Sequence, residues 1–258
     1  MVKLVTWNLN SIRAREKRLF AWLESERPDV LCLQETKVED AKFPLEPLTK
    51  LGYHVETFGQ SSYNGVAILS TKPLENVVRR FGEAPQDDDG DARVMAATTH
   101  GIRVVCLYVP NGQELTSEKY PYKLAWYGRL RAYLDRTAKP DDPLVVCGDM
   151  NVTADDRDVW SPEKWKDQIH CSAPEREALT NMTGFGLVDL FRAKHPDART
   201  WSWWDYRGVS FFKDQGLRID VIYGTQPILE RTTIVTIDRN ARKGQDASDH
   251  APVVATID

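Results

Sequence analysis

The sequence predicts an α/β protein, a mixed sheet or a sandwich of two sheets with helices outside. Three observations carry that reading. Strand-like runs succeed one another at hairpin distance across 53–109. Helical segments separate the strands across 2–34 and 109–148. Finally, several short apolar runs end in Asn, Asp or Glu, and α/β sheets carry their chemistry at strand ends.

Taken in order, strands are expected at 2–6, 29–34, 53–58, 65–70, 76–81, 93–99, 102–109, 144–148, 218–223, 232–237 and 251–257. Most of these are rich in Val, Ile, Thr or aromatic residues and are bounded by Gly, Pro, Asn or Asp. The clearest helix is 117–136, where Tyr120, Leu124, Tyr127, Leu130 and Leu134 recur at spacings of three and four. Helices are also expected at 13–26, 44–50, 161–168 and 174–183, with Gly52 and Gly184 terminating two of them. No linker, repeat or low-complexity block divides the chain, so 1–258 reads as one domain, and the acidic stretch Glu83 to Asp91 as a loop.

No apolar run approaches the roughly 20 residues of a membrane span. The amino terminus enters a strand pattern directly, with no apolar leader, so an intracellular, cytoplasmic location is expected. Cys32, Cys106, Cys147 and Cys171 show neither a CxxC nor a zinc spacing and read as small buried groups in a reducing compartment. The net charge of −4 argues at first against a polyanionic partner. Its distribution weakens that argument, because Arg13, Arg15, Lys17 and Arg18 cluster, as do Lys123, Arg129, Arg131, Arg136 and Lys139. Sequestering acids in a metal site would leave such surfaces positive.

The strand ends are the chemical signal. Asn8 and Asn10 follow Lys3-Leu4-Val5-Thr6; Gln34-Glu35-Thr36 follows Val30-Leu31-Cys32-Leu33. Asp149 and Asn151 follow Leu144-Val145-Val146-Cys147, and Asp249-His250 precedes the last strand. Oxygen donors gathered from distant segments suit a hard cation, which points to a metal-assisted hydrolase.

At these motifs the chain resembles the exonuclease III type of apurinic/apyrimidinic endonuclease, within the endonuclease/exonuclease/phosphatase superfamily that includes DNase I. The resemblance runs in order through Trp7-Asn8-Leu9-Asn10, Leu33-Gln34-Glu35-Thr36-Lys37, Gly65-Val66-Ala67, Tyr108-Val109-Pro110-Asn111-Gly112, Gly148-Asp149-Met150-Asn151-Val152, Gly186-Leu187-Val188-Asp189, Trp203-Trp204-Asp205-Tyr206, Leu217-Arg218-Ile219-Asp220 and Ser248-Asp249-His250-Ala251-Pro252. It implies a four-layered α/β sandwich, two packed mixed β-sheets flanked by helices.

For activity it implies a monomeric DNA repair nuclease, nucleoid-associated in a prokaryote. Such an enzyme hydrolyses the phosphodiester 5′ to abasic sites and has 3′-phosphodiesterase and 3′→5′ exonuclease activity on double-stranded DNA with abasic sites or blocked 3′ ends. Glu35 is then the principal Mg²⁺ ligand, Mn²⁺ substituting, with Asn8, Asp149, Asn151 and Asp249 completing the shell. Asp149 is favoured to activate water, with His250 the competing base; Asp220 orients His250, and His250, Asn151 and Tyr108 stabilise the phosphate. Asn10, Asn111 and His250 contact substrate, while Trp203 walls a pocket for an extruded abasic sugar and Trp204 packs in the core. Two other readings stand beside this one: a phosphoesterase for RNA or a small phosphate ester, and a DNA-binding paralogue without catalysis.

Overall fold

The computed structural model describes residues 1–81 and 90–258, so most of the acidic stretch Glu83 to Asp91 lies outside the described residues. The chain order is β1 (Val2–Asn8), α1 (Ile12–Glu26), β2 (Val30–Gln34), α2 (Leu45–Lys50), β3 (His54–Phe58), β4 (Val66–Ser70), β5 (Glu75–Arg79), β6 (Val94–Thr99) and β7 (Ile102–Tyr108). It continues with α3 (Lys119–Thr137), β8 (Leu144–Asp149), α4 (Pro162–Trp165), α5 (Ala173–Thr183), β9 (Val188–Asp189) and α6 (Leu190–Lys194). Last come β10 (Asp220–Gly224), α7 (Gln226–Arg231), β11 (Thr232–Ile237) and β12 (Val253–Ile257).

The strands form two six-stranded sheets, ordered β11-β12-β1-β2-β4-β3 and β5-β6-β7-β8-β10-β9. Each is mixed. Its central pair is parallel, β1 with β2 and β7 with β8. A parallel pair needs a crossover, and the helices α1 and α3 supply the two. The alternation of strand side chains then sorts the core into layers. Leu4, Cys32 and Ile68 of the first sheet meet Val104, Cys106, Cys147 and Ile222 of the second. On the outer faces, Val5, Trp7 and Leu33 pack on Ile12, Leu19 and Leu23 of α1. Val105, Leu107 and Val146 pack on Trp126, Leu130 and Leu134 of α3 and Leu179 of α5. The four layers are helix, sheet, sheet, helix. All four cysteines are buried free thiols. Among the described residues, no helix is long and apolar enough to cross a membrane.

Several element boundaries differ from the sequence reading. The segment 161–168 is helical only over Pro162–Trp165, because Asp167 and His170 take left-handed backbone at φ 56° and 74°. β10 begins at Asp220 rather than 218, and β12 at Val253 rather than 251. Gly52 does leave α2 in the left-handed region, at φ 92°. Gly184 ends α5 as expected, capping it directly after Thr183, but with right-handed backbone at φ −58°; the left-handed residue is Gly186, at φ 115°. β9, α6 and α7 were not anticipated. They span two, five and six residues, too short to show a period.

Both parallel pairs point their carboxyl ends the same way. Asn8 lies opposite Gln34, Tyr108 opposite Asp149, and Asp149 opposite Asp220. The oxygen-bearing strand ends of the two sheets therefore meet at one edge.

Candidate active site

Gly148 makes the approach to Asp149 possible. It takes φ 147° beside β7, where a Cβ would lie 1.9 Å from the Leu107 carbonyl oxygen. Asp149 itself is buried, and its Oδ1 accepts from the Asn151 amide N–H at 2.9 Å. Its Oδ2 accepts from Asn8 Nδ2 at 2.9 Å, the same nitrogen that donates to Glu35 Oε1 at 2.8 Å. Asn8 thus ties the two carboxylates together across the sheets. Burial raises the Asp149 carboxyl to about 7, opposed by His250 and reinforced by Asp220 and Glu35.

His250 is buried and hydrogen-bonds through Nδ1 to Asp220 Oδ2 at 2.8 Å. Its Nε2 faces Asp149 Oδ2 at 3.8 Å. Burial alone would lower this histidine, but the Asp220 charge and hydrogen bond outweigh it and lift the group to about 10. It is therefore an imidazolium at neutral pH. Ser202 Oγ accepts from the Ile219 and Asp220 amides at 3.1 and 2.9 Å, fixing the start of β10. The second oxygen of Asp220, Oδ1, is buried with no hydrogen-bond partner among the described residues.

Glu35 reaches the site from strained backbone, at φ 50°, an unusual value for a residue of its shape. Asn10, Lys37 and Asn151 share the left-handed region at φ 48°, 52° and 51°. Lys37 Nζ pairs with Glu35 Oε2 at 2.7 Å and donates to Asn10 Oδ1 at 2.6 Å. The Tyr108 hydroxyl is pushed well up by burial and then by Glu35 and Asp149, so it stays a neutral donor. Arg93 lies over its ring at 4.9 Å.

Ligand atoms of Glu35, Asp149 and His250 all lie within 4.8 Å of one another. Two carboxylates this close, one of them burdened by burial, make a fitting place for a divalent cation. The other residues expected as ligands stand around that trio with their polar atoms engaged. Asn8 presents its nitrogen to the carboxylates. Asn151 donates to the Val109 carbonyl at 2.9 Å and accepts from Asn111 Nδ2 at 3.2 Å. Asp249 accepts from Asn10 Nδ2 and Trp203 Nε1, each at 3.0 Å.

Trp203 is half-buried and Trp204 fully buried, on opposite sides of their segment. The Trp203 ring lies 6.5 Å from both Trp165 and His250 and 6.3 Å from His170, beside Val159, Leu217 and Ile219. An apolar wall therefore adjoins the charged trio.

The sequence reading missed His170, Lys37 and Lys123. His170 is buried beside Trp203, and burial, then Lys123, lower it to about 4. Nothing in its surroundings in sequence singles it out. Lys37 stands in the Gln-Glu-Thr-Lys segment, two residues past Glu35, where a cation beside an acid was visible. Lys123 lies in phase with Trp126, Tyr127, Leu130 and Leu134 on the buried face of α3, a lysine inside an apolar stripe.

The chain is similar to known proteins over its full length. A family profile described as "Endonuclease/Exonuclease/phosphatase family" matches residues 5–250. Exodeoxyribonuclease III of Haemophilus influenzae is 37% identical over 266 aligned residues, covering 98% of this chain and 99% of its own. Among solved structures, an AP endonuclease from Archaeoglobus fulgidus matches with a TM-score of 0.95 at 40% identity, both chains covered completely at 100%. A 3′ phosphatase from Neisseria bound to a product DNA hairpin matches with a TM-score of 0.93 at 38% identity, again with 100% of each chain covered.

Proposed function

The chain belongs to the endonuclease/exonuclease/phosphatase family, and from that premise we propose that it is a DNA repair nuclease. It hydrolyses the phosphodiester 5′ to abasic sites and has 3′-phosphodiesterase and 3′→5′ exonuclease activity on double-stranded DNA. The observation that carries this reading is one buried edge where Glu35, Asp149 and an Asp220-held imidazolium converge beside the Trp203 ring. The entire chain, 1–258, acts as one domain and as a monomer in the cytoplasm, with the nucleoid as its place of work.

Mg²⁺ is the proposed cofactor, held chiefly by Glu35, with Asn8, Asp149, Asn151 and Asp249 completing the shell or holding its waters and Mn²⁺ able to substitute. When bound, it supplies Lewis-acid charge to the phosphate and favours ionisation of a nearby water. The remaining work falls to the chain. A group that keeps its proton at pH 7 cannot also accept one, so His250, raised to about 10, is not the base. Asp149, raised to about 7, is poised for that role and takes the proton of the attacking water. The water oxygen bonds to phosphorus as the bond to the 3′ oxygen breaks; that oxygen leaves with the bonding pair and takes a proton from solvent to become the 3′ hydroxyl, while Asp149 returns its proton to solvent. The His250 Nε2–H, the Tyr108 hydroxyl and the Asn151 amide stand where they can donate to phosphate oxygens as charge develops. Asn10 and Asn111 flank the scissile phosphate. Trp203, with Leu217 and Ile219, walls the pocket that accepts a baseless deoxyribose.

The test presents the purified protein with an abasic duplex, a duplex bearing a 3′-phosphate, an intact duplex, an RNA strand and a small phosphate ester, with Mg²⁺ or a chelator. Mg²⁺-dependent incision at the abasic site and release of the 3′-phosphate are expected. Hydrolysis confined to RNA or the small ester would replace this reading, and DNA binding without any hydrolysis would mark a catalytically silent protein.

A further inference from the structure

Lys123 and Glu175 form a fully buried ion pair between α3 and α5, with 0% side-chain exposure on both partners and Nζ 2.5 Å from Oε1. A buried pair of this kind contributes little net stability compared with well-packed apolar groups. Its geometry shows another use. The ammonium has three donors, and all are placed: one on Glu175, one on the Asn151 carbonyl at 2.7 Å and one on the Asn111 carbonyl at 3.0 Å. Glu175 in turn accepts from the His170 amide at 3.0 Å through Oε1, and from Ser172 N and Oγ at 3.1 and 2.6 Å through Oε2.

The loops held in this way are those that carry site side chains. Asn151 sits in left-handed backbone, and its carbonyl also accepts from His170 Nδ1 at 2.6 Å. Two donors thus pin a strained turn. Gly112 takes φ 87° against the lysine stem, where a Cβ would come within 3.0 Å of Lys123 Cδ. The pinned loops join through Asn111 Nδ2 to Asn151 Oδ1, and Asn151 N donates to Asp149 Oδ1. A continuous chain of hydrogen bonds therefore runs from Lys123 to the carboxylate proposed as base.

We propose that Lys123, held by Glu175, is a positioning residue that sets Asn111 and Asn151 against Asp149. It contacts no reacting atom. The proposal rests on the nuclease reading above and adds what aligns that site. An error of about 1 Å in such a group costs on the order of 100-fold in rate.

The test uses Lys123→Met and the double variant Lys123→Met/Glu175→Gln, with wild type in parallel on an abasic duplex in Mg²⁺. The single variant leaves a buried carboxylate without its partner and should lower Tm and turnover together. The double variant removes both charges, so Tm should recover. Its kcat, measured well below its own Tm, should stay roughly 10–100-fold low with KM little changed. Side-chain amide NMR signals of Asn111 and Asn151 should shift in the double variant. Recovery of kcat along with Tm would reduce the pair to a structural role and overturn the proposal. So would unchanged Asn111 and Asn151 signals, a readout that holds even if wild type fails to cut the duplex, an outcome that would sink the nuclease reading instead.

Discussion

Asp220→Asn keeps the volume of a buried side chain and deletes one charge 2.8 Å from His250 Nδ1. In wild type, that charge lifts His250 from 6.5 to about 10 against the pull of burial. Without it, burial pulls the imidazole back down, against the smaller upward pull of Asp249 and Asp149. The imidazolium form is active, so activity falls as pH rises through the His250 pKa, and the variant's descending limb moves down from about 10. The wild-type to variant ratio of single-turnover incision should therefore grow with pH above the variant's lowered pKa, by up to about tenfold per pH unit. A ratio independent of pH would refute the assignment, because loss of packing or of rigidity has no reason to track the proton. His250→Ala should cost on the order of 100–1000-fold, and Asp220→Ala should add little on top of it, since the two act as a unit.

Further outcomes follow from the same geometry. Glu35→Gln should abolish most turnover and leave DNA binding largely intact; near wild-type incision in Mg²⁺ would remove Glu35 from the cation site. Asp149 is raised from 3.8 to about 7, so its neutral form favours the cation-free fold below 3.8, and that contribution disappears as pH climbs through about 7. Proton and cation compete for the same carboxylate, so the Tm increase on adding Mg²⁺ should be larger at pH 8 than at pH 6. A shift that shrinks with pH would contradict this. Trp203→Ala should cut abasic incision and raise nicking of intact duplex relative to it. Since Trp203 is half-buried, the variant should lose less than the about 3–5 kcal/mol of a buried tryptophan; a far lower Tm with an unchanged substrate ratio would return Trp203 to the core. DNA affinity should fall with salt by about 0.9 log units per tenfold for each phosphate contact, despite the net charge of −4.

The parts legible in the sequence are those where side-chain chemistry interrupts a pattern. Asn8, Glu35, Asp149 and Asp249-His250 each break or border an apolar strand, and the structure brings all of them to one edge. Trp203 and Trp204 alternate in burial as neighbours in an extended segment must. The stripe on α3 was found but slightly out of phase: Tyr120 and Leu124 are half-buried, while Trp126 and Tyr133 are fully inside. Lys123, inside that stripe, was counted among the basic cluster because a charge run usually marks a solvated face. His170 was invisible because its place depends on the turn at Asp167 and on a contact to Trp203, distant in sequence. The short helices α6 and α7 are made by tertiary packing, with Leu190, Phe191 and Ile228 buried, rather than by any periodicity of their own.

The central claim is that water, activated at this buried edge, attacks phosphorus and expels the 3′ oxygen. Incision of an abasic duplex in H₂¹⁸O, followed by mass spectrometry of both new ends, tests that directly. The account predicts one ¹⁸O in the 5′-phosphate of the baseless fragment and an unlabelled 3′-hydroxyl on the other. Strand cleavage that leaves the phosphate unlabelled, as elimination at the sugar would, contradicts it.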